Sequence, residues 1–147
     1  GLVLGDGGLF GRMSEHMRAG RIIPLIGGGR QSLQTVWIND VAMALEKILT
    51  EDLPGKFTLA HPEVIAYEDF YRALALRLGV KPRFLPLPYA VVSGLLSLAA
   101  SLRVRLPITR DNLLGLKAMR QENTTDDLTK LGIALSSFPD TLRRLSS

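Results

Sequence analysis

The sequence predicts a mixed α+β (partly α/β) domain, mostly helical with a small sheet. Several stretches carry apolar residues at three- and four-residue spacing, which is typical of amphipathic helices. Between them lie short runs rich in β-forming residues and bounded by glycine or proline, which indicate strands. The length of 147 residues and the hydrophobic content of 46% suit a single domain over residues 1–147.

The amino-acid composition limits the kinds of site that the chain can form. The chain has no cysteine, which excludes disulfides and thiolate metal ligands, and we therefore expect a cytoplasmic protein. The two histidines, His16 and His61, lie far apart without matched carboxylates or a nearby nucleophile. We interpret them as surface histidines and predict no metal site.

Basic residues outnumber acidic ones between Arg83 and Arg120, where six Arg or Lys accompany one acid, Asp111. This excess favours an anionic partner such as a phosphate, whereas basic side chains on solvated helix faces are the more common explanation. The net charge of the chain is only +4. We expect no nucleic-acid binding.

The first third of the chain alternates strands and helices. Residues 1–5 indicate a buried strand, and residues 9–18 a helix that Gly20 ends. The apolar run 22–26 contains Pro24, which favours an edge strand. Gly27, Gly28 and Gly29 predict a tight reversal, so that run 22–26 pairs with residues 30–38 as a hairpin.

The next segment predicts a strand followed by a capped helix. Residues 33–38 are rich in β-formers, and Asp40 is a good N-cap for a helix over residues 41–50. The inward face of that helix is predicted from its apolar residues, which are Val41, Leu45, Ile48 and Leu49.

The remaining chain predicts one strand, one extended piece and several helices. Residues 56–60 indicate a strand, and residues 84–87 an extended piece. The predicted helices cover residues 67–78, 126–131 and 138–145, with a further one capped by Thr109. Residues 84–102 carry no charge, but Pro86 and Pro88 leave a helix too short to cross a membrane. We predict a buried or interface helix there.

Two glycine clusters raise the question of a cofactor loop. A dinucleotide fingerprint needs glycine at its first, third and sixth positions, and the cluster at Gly5 to Gly11 fails in either register. The cluster at Gly27 precedes a predicted strand, so no helix N-terminus follows to hold a phosphate. No Tyr-x-x-x-Lys occurs in the 147 residues. The sequence therefore offers no catalytic and no cofactor-binding residue.

Three residues beside the second glycine cluster are candidates for a binding wall. Arg30 and Gln31 carry polar groups that can reach a bound anion. Trp37 can line a pocket, or it can serve as a core or interface aromatic.

Several motifs together resemble the extended and atypical branch of the short-chain dehydrogenase/reductase superfamily, the NAD-dependent epimerase/dehydratase-like proteins. The motifs are Gly1-Leu2-Val3-Leu4-Gly5; Gln34-Thr35-Val36-Trp37-Ile38-Asn39-Asp40-Val41-Ala42, in which Asn39 replaces the first Asp of the family's Val-Asp-Asp-Val-Ala; Phe84-Leu85-Pro86-Leu87-Pro88; Leu106-Pro107-Ile108-Thr109-Arg110-Asp111; and Asp127-Leu128-Thr129-Lys130-Leu131-Gly132-Ile133.

The resemblance implies that the chain corresponds to the C-terminal, substrate-side portion of such a protein, without its Rossmann half. The NAD(P) loop and the catalytic Tyr-x-x-x-Lys pair of the family would then lie upstream of Gly1. What carries over is a substrate-side wall of Arg30, Gln31, Trp37 and Arg110.

Two functions follow as hypotheses. One is a truncated, non-catalytic module that binds a small molecule or self-associates into a homo-oligomer through apolar surfaces left uncovered. The alternative is the substrate-binding portion of an NAD(P)-dependent oxidoreductase or epimerase, active only with an N-terminal Rossmann half. For the chain alone we expect neither a bound cofactor nor catalysis.

Overall fold

The computed structural model describes residues 1–101 and 121–145. Within them the predicted mixture, mostly helical with small sheets, is confirmed. The strands are β1 (Leu2–Leu4), β2 (Ile22–Ile26), β3 (Ser32–Leu33), β4 (Thr35–Trp37), β5 (Ile65–Ala66) and β6 (Arg83–Leu87). The helices are α1 (Gly8–Arg18), α2 (Ile38–Thr50), α3 (Tyr67–Leu78), α4 (Tyr89–Ser101), α5 (Thr125–Leu131) and α6 (Phe138–Arg144). The predicted helix capped by Thr109 lies outside the described residues.

The strands pair in three separate couples. β1 and β4 run parallel, with Leu2 opposite Thr35 and Leu4 opposite Trp37. β2 and β6 also run parallel, and β3 pairs with β5 antiparallel. The predicted hairpin between residues 22–26 and 30–38 is therefore wrong. Residues 27–29 form a 3₁₀ turn in which all three glycines have left-handed φ values of 66° to 77°, and this turn leads the chain away from β2.

Asp40 does not cap α2. The helix begins two residues earlier, at Ile38, and no side chain caps it. The Asp40 carboxylate is buried inside the first turn, where it accepts hydrogen bonds from the Ser136 backbone N–H at 2.6 Å and from the Ser136 Oγ at 3.2 Å. The carboxylate therefore ties the segment before α6 to the start of α2.

The predicted inward face of α2 is wrong at two of its four positions, while Val41 and Ile48 are half-buried. Leu45 is 52% exposed and Leu49 is 79% exposed, while Ala44 and Asp40 are buried. The helix approaches the rest of the molecule through a small residue and a hydrogen-bonded carboxylate. Two of its leucines, Leu45 and Leu49, are left on the outside.

A buried glutamine joins three parts of the chain that are distant in sequence. Gln34 separates β3 from β4, and its Nε2 donates to the carbonyl of His61 at 3.1 Å and to that of Glu122 at 3.0 Å. Its Oε1 accepts from the Glu122 N–H at 2.8 Å. Both ends of the amide are thus satisfied, as a buried polar group requires.

Residues 56–60, predicted as a strand, are not one in the structure. Two of their backbone groups are bonded to side chains from residues 121–145. The Thr58 N–H donates to the Asp127 carboxylate at 2.8 Å, and the Thr124 hydroxyl donates to the Ala60 carbonyl at 2.8 Å. The segment is therefore paired with none of the described strands.

The main core forms around α3, whose predicted bounds are confirmed. Phe70 is fully buried and makes edge-on ring contacts with Phe10 and Tyr71. Gly79 ends the helix in a left-handed conformation, and its N–H donates to the Leu76 carbonyl. The buried apolar side chains that share this core are Leu4, Phe10, Met17, Ile23, Leu25, Leu33, Trp37, Phe70, Tyr71, Leu74, Ala75, Leu142 and Leu145.

The uncharged helix α4 is buried along one narrow face. Val92 and Leu96 pack against Ile26, while Leu95 and Leu98 are exposed. Among the helices of residues 1–101 and 121–145, none is long and apolar enough to cross a membrane.

Replacing Asp40 tests the link between α2 and residue 136. Asp40→Ala leaves two half-buried donors of Ser136 without their acceptor, so we expect the free energy of unfolding in urea to fall by about 1–3 kcal/mol. The matched control is Asn39→Ala on the exposed side of the same turn, which should change stability by less than about 0.5 kcal/mol. Equal losses in the two variants would contradict the assigned role.

Candidate functional site

Gln31, one of the residues predicted for a binding wall, is hydrogen-bonded to Tyr89 at the end of β2, and the sequence did not predict this contact. Gln31 donates from Nε2 to the Tyr89 hydroxyl at 2.8 Å and to the carbonyl of Ile26. The Gln31 carbonyl in turn accepts from the Tyr67 N–H at 3.0 Å. Together with exposed Arg30, Gln31 and Tyr89 form a surface feature that we call the polar corner.

The glycine turn allows this corner to form. Gly27 lies against the ring of Tyr89 so closely that a Cβ added to it would stand 2.1 Å from the Tyr89 Cε2. Only glycine permits that approach, and the left-handed φ of 66° at Gly27 favours glycine for a second reason. The turn therefore positions the tyrosine hydroxyl within reach of Gln31.

The polar corner has unused hydrogen-bonding and charge capacity. The Oε1 of Gln31 is buried and has no hydrogen-bond partner within the part of the chain that the structure describes. The Arg30 guanidinium makes no ion pair with any described residue. A buried acceptor without a partner destabilises the fold by about 1–3 kcal/mol, and a ligand hydroxyl or a water can relieve it.

The other two predicted wall residues are not part of this corner. Trp37 is only 7% exposed and packs in the main core. This position agrees with its alternative interpretation as a core aromatic. Arg110 lies outside the described residues. Tyr89 was missed by the sequence analysis because it lies 58 residues from Gln31 and no local pattern marks it.

A cavity of about 470 Å³ lies at the first glycine cluster. Its volume is within the range of about 300–1,000 Å³ that small-molecule sites have. The lining is mostly apolar and comes from the end of β1, the following loop and the first residue of α2: Leu2, Val3, Gly5, Asp6, Gly7, Gly8 and Ile38.

An exposed apolar surface continues from this cavity along α2. Val3 and Ile38 line the cavity and are both more than two-fifths exposed. Leu45 and Leu49 follow Ile38 at seven and eleven residues, which places all three on one side of the helix. We call Val3, Ile38, Leu45 and Leu49 the apolar face.

Within residues 1–101 and 121–145, no cluster of three or more His, Asp or Glu side chains is placed to hold a metal ion. The polar corner offers hydrogen-bonding groups and one guanidinium to a ligand, and the cavity offers apolar contact.

No protein-family model matches the chain, and a comparison with curated protein sequences gives no match either. Solved structures do match. The crystal structure of the human epimerase family protein SDR39U1 (isoform 2) with NADPH is 27% identical to the chain, with a TM-score of 0.69 over 96% of this chain and 43% of that one. The structure of gox2253 is 22% identical, with a TM-score of 0.70 over 96% of this chain and 44% of that one.

A more distant structure matches in fold alone. UDP-glucose 4-epimerase from Thermotoga maritima, solved with UDP-glucose, is 16% identical, with a TM-score of 0.60 over 97% of this chain and 41% of that one. The chain thus spans less than half the length of each of these proteins. The resemblance to epimerase-like short-chain dehydrogenase/reductases is confirmed, and the chain has the fold of a part of such a protein.

Two glycine variants test how the corner is built. Gly28→Ala meets open space and strains only the backbone, since φ is 77°, and should lower stability by about 1–2 kcal/mol. Gly27→Ala adds the collision with Tyr89 to a similar strain, so we expect a larger loss in urea unfolding. Equal losses would show that the Tyr89 ring is free to move aside at no cost, which would contradict a fixed corner.

Proposed function

We propose that the chain is the substrate-side unit of an NAD(P)-dependent oxidoreductase or epimerase of the short-chain dehydrogenase/reductase type. In this proposal it completes a functional site only together with a nucleotide-binding unit. The observation that carries the proposal is the apolar face beside the cavity. The comparisons also support the proposal, because about 96% of the chain matches only 43–44% of gox2253 and of the human epimerase family protein.

The proposal assigns an occupant to the apolar face. The face lies on the outer side of α2 and on β1, next to a cavity of about 470 Å³ that is open to solvent. More than half of each similar protein has no counterpart in this chain. The partner that fits is therefore a nucleotide-binding unit, whose apolar surface would cover Val3, Ile38, Leu45 and Leu49.

The proposal also divides the chemistry between the two units. The 147 residues contain neither a dinucleotide fingerprint nor a Tyr-x-x-x-Lys pair, so the cofactor and the proton-transfer residues would come from the partner. A nicotinamide cofactor held there would supply hydride transfer. This chain would contribute substrate contacts through Arg30 and Gln31 of the polar corner. Trp37 and Arg110 remain further predicted contacts.

A second function rests on the same apolar face. If no nucleotide-binding unit is made, a second copy of the chain can cover the face, and the protein is a non-catalytic module that self-associates and binds a small molecule at the polar corner. The two functions differ in the partner and in cofactor binding, which makes them separable by experiment.

Cofactor titration tests the division of chemistry. We expect no heat of binding when NADPH is titrated calorimetrically into the purified chain, because its sequence contains no dinucleotide fingerprint. Saturable binding would contradict the proposal, since it would make this chain a cofactor-binding unit in its own right.

Substitution on α2 tests the apolar face. The chain alone should self-associate, so its mass in sedimentation equilibrium should rise with concentration, and Leu45→Lys should return it to the monomer mass because a charge would be buried between copies. The matched control is Leu76→Lys on α3, where an isolated leucine is 85% exposed, and this variant should behave as the unaltered chain. A monomer at every concentration, or equal effects of the two variants, would refute the assignment.

A further inference from the structure

A second cavity, of about 240 Å³, lies between α1 and α3 and is distinct from the polar corner and the apolar face. Its floor includes Ile23 and Pro24 of β2. Arg12 and His16 line it from α1, and Tyr67 and Tyr71 line it from α3, so that two polar pairs border one space.

Helical spacing brings each pair together. Arg12 and His16 are four residues apart on α1, and Tyr67 and Tyr71 are four residues apart on α3, so each pair occupies one side of its helix. The two tyrosine hydroxyls lie 3.3 Å apart, and their rings meet edge to face at 5.0 Å. Buried residues of the same helices, such as Met17 and Phe70, anchor both walls in the main core.

Among the described residues that line this cavity, Arg12 is a cation and none is acidic. The Arg12 guanidinium makes no hydrogen bond or ion pair with any residue in the described ranges. The Nε2 of His16 lies 3.0 Å from the carbonyl of Ile22, which requires that this nitrogen carry the proton and fixes the ring.

The tyrosines supply neutral donors. Burial raises the pKa of the Tyr71 phenol, and the neighbouring Tyr67 raises it further. Tyr71 therefore keeps its proton at neutral pH. Because two hydroxyls share one contact, one O–H of the pair can donate to a ligand.

We infer that this cavity binds a small organic anion, with its carboxylate paired to Arg12 and hydrogen-bonded by the tyrosine pair. The apolar part of the anion would lie on Met13 and Ile23. A volume of about 240 Å³ is just below the range of sites for drug-sized ligands, which limits the ligand to a small molecule. A guanidinium beside hydroxyl donors is the arrangement that recognises a carboxylate. The inference does not depend on the proposed function.

Two probes of equal shape and different charge test the inference. Sodium benzoate and neutral benzamide are titrated separately into the ¹⁵N-labelled chain, and the amide chemical shifts are followed. We expect saturable shifts with benzoate, concentrated at residues 12–16 and 67–71, and little response to benzamide. Equal responses to the two probes, or shifts centred elsewhere, would overturn the inference.

Matched variants locate the charge that recognises the anion. Arg12→Gln should weaken benzoate binding by about tenfold or more, since it removes the only guanidinium among the described residues of the lining. Arg18→Gln, on the same helix but outside this cavity, should bind as the unaltered chain. Tyr71→Phe keeps the ring in the core and should weaken binding through the lost hydroxyl. Unfolding midpoints verify that each variant is folded, and unchanged affinity in Arg12→Gln would refute the assignment.

Discussion

The structure depends on two buried polar side chains that flank β4. Gln34, just before the strand, bonds both backbone groups of Glu122, and Asp40, just after it, accepts two hydrogen bonds from Ser136. These hydrogen bonds hold residues 121–145 against both ends of β4, a short buried strand. Breaking either connection would leave buried polar groups without partners, which destabilises a fold more than the bond itself stabilises it.

The position of residues 121–145 also bears on which side of α2 is buried and which is exposed. Within the segment bound through Gln34 and Asp40, α6 packs on β4 and α5 packs on α2, and Ala44 of α2 is buried. Ile38, Leu45 and Leu49 of α2 are exposed, and Ile38 also lines the first cavity. The unit thus has a buried core around Phe70 and an exposed apolar face on α2 and β1.

Local signals in the sequence predicted the helices well and the long-range contacts poorly. The ends of α1, α3 and α5 follow from glycines placed after periodic apolar residues. The pairing of β2 with β6, the bond of Gln34 to Glu122 and that of Asp40 to Ser136 join residues about 60 to 96 apart, which no local pattern specifies. At the candidate site, Arg30 and Gln31 were predictable as neighbours, whereas Tyr89 reaches them only through the fold.

The central claim is that this chain works as the substrate-side part of a larger nucleotide-dependent protein. The most direct measurement is the mass and composition of the natural product that carries the sequence, isolated under native conditions and analysed by mass spectrometry. The account predicts either one polypeptide more than twice the 16.1 kDa of this chain or a complex with a separate subunit, with a dinucleotide fingerprint in the added part. A product made only of this 16.1 kDa chain would contradict the claim.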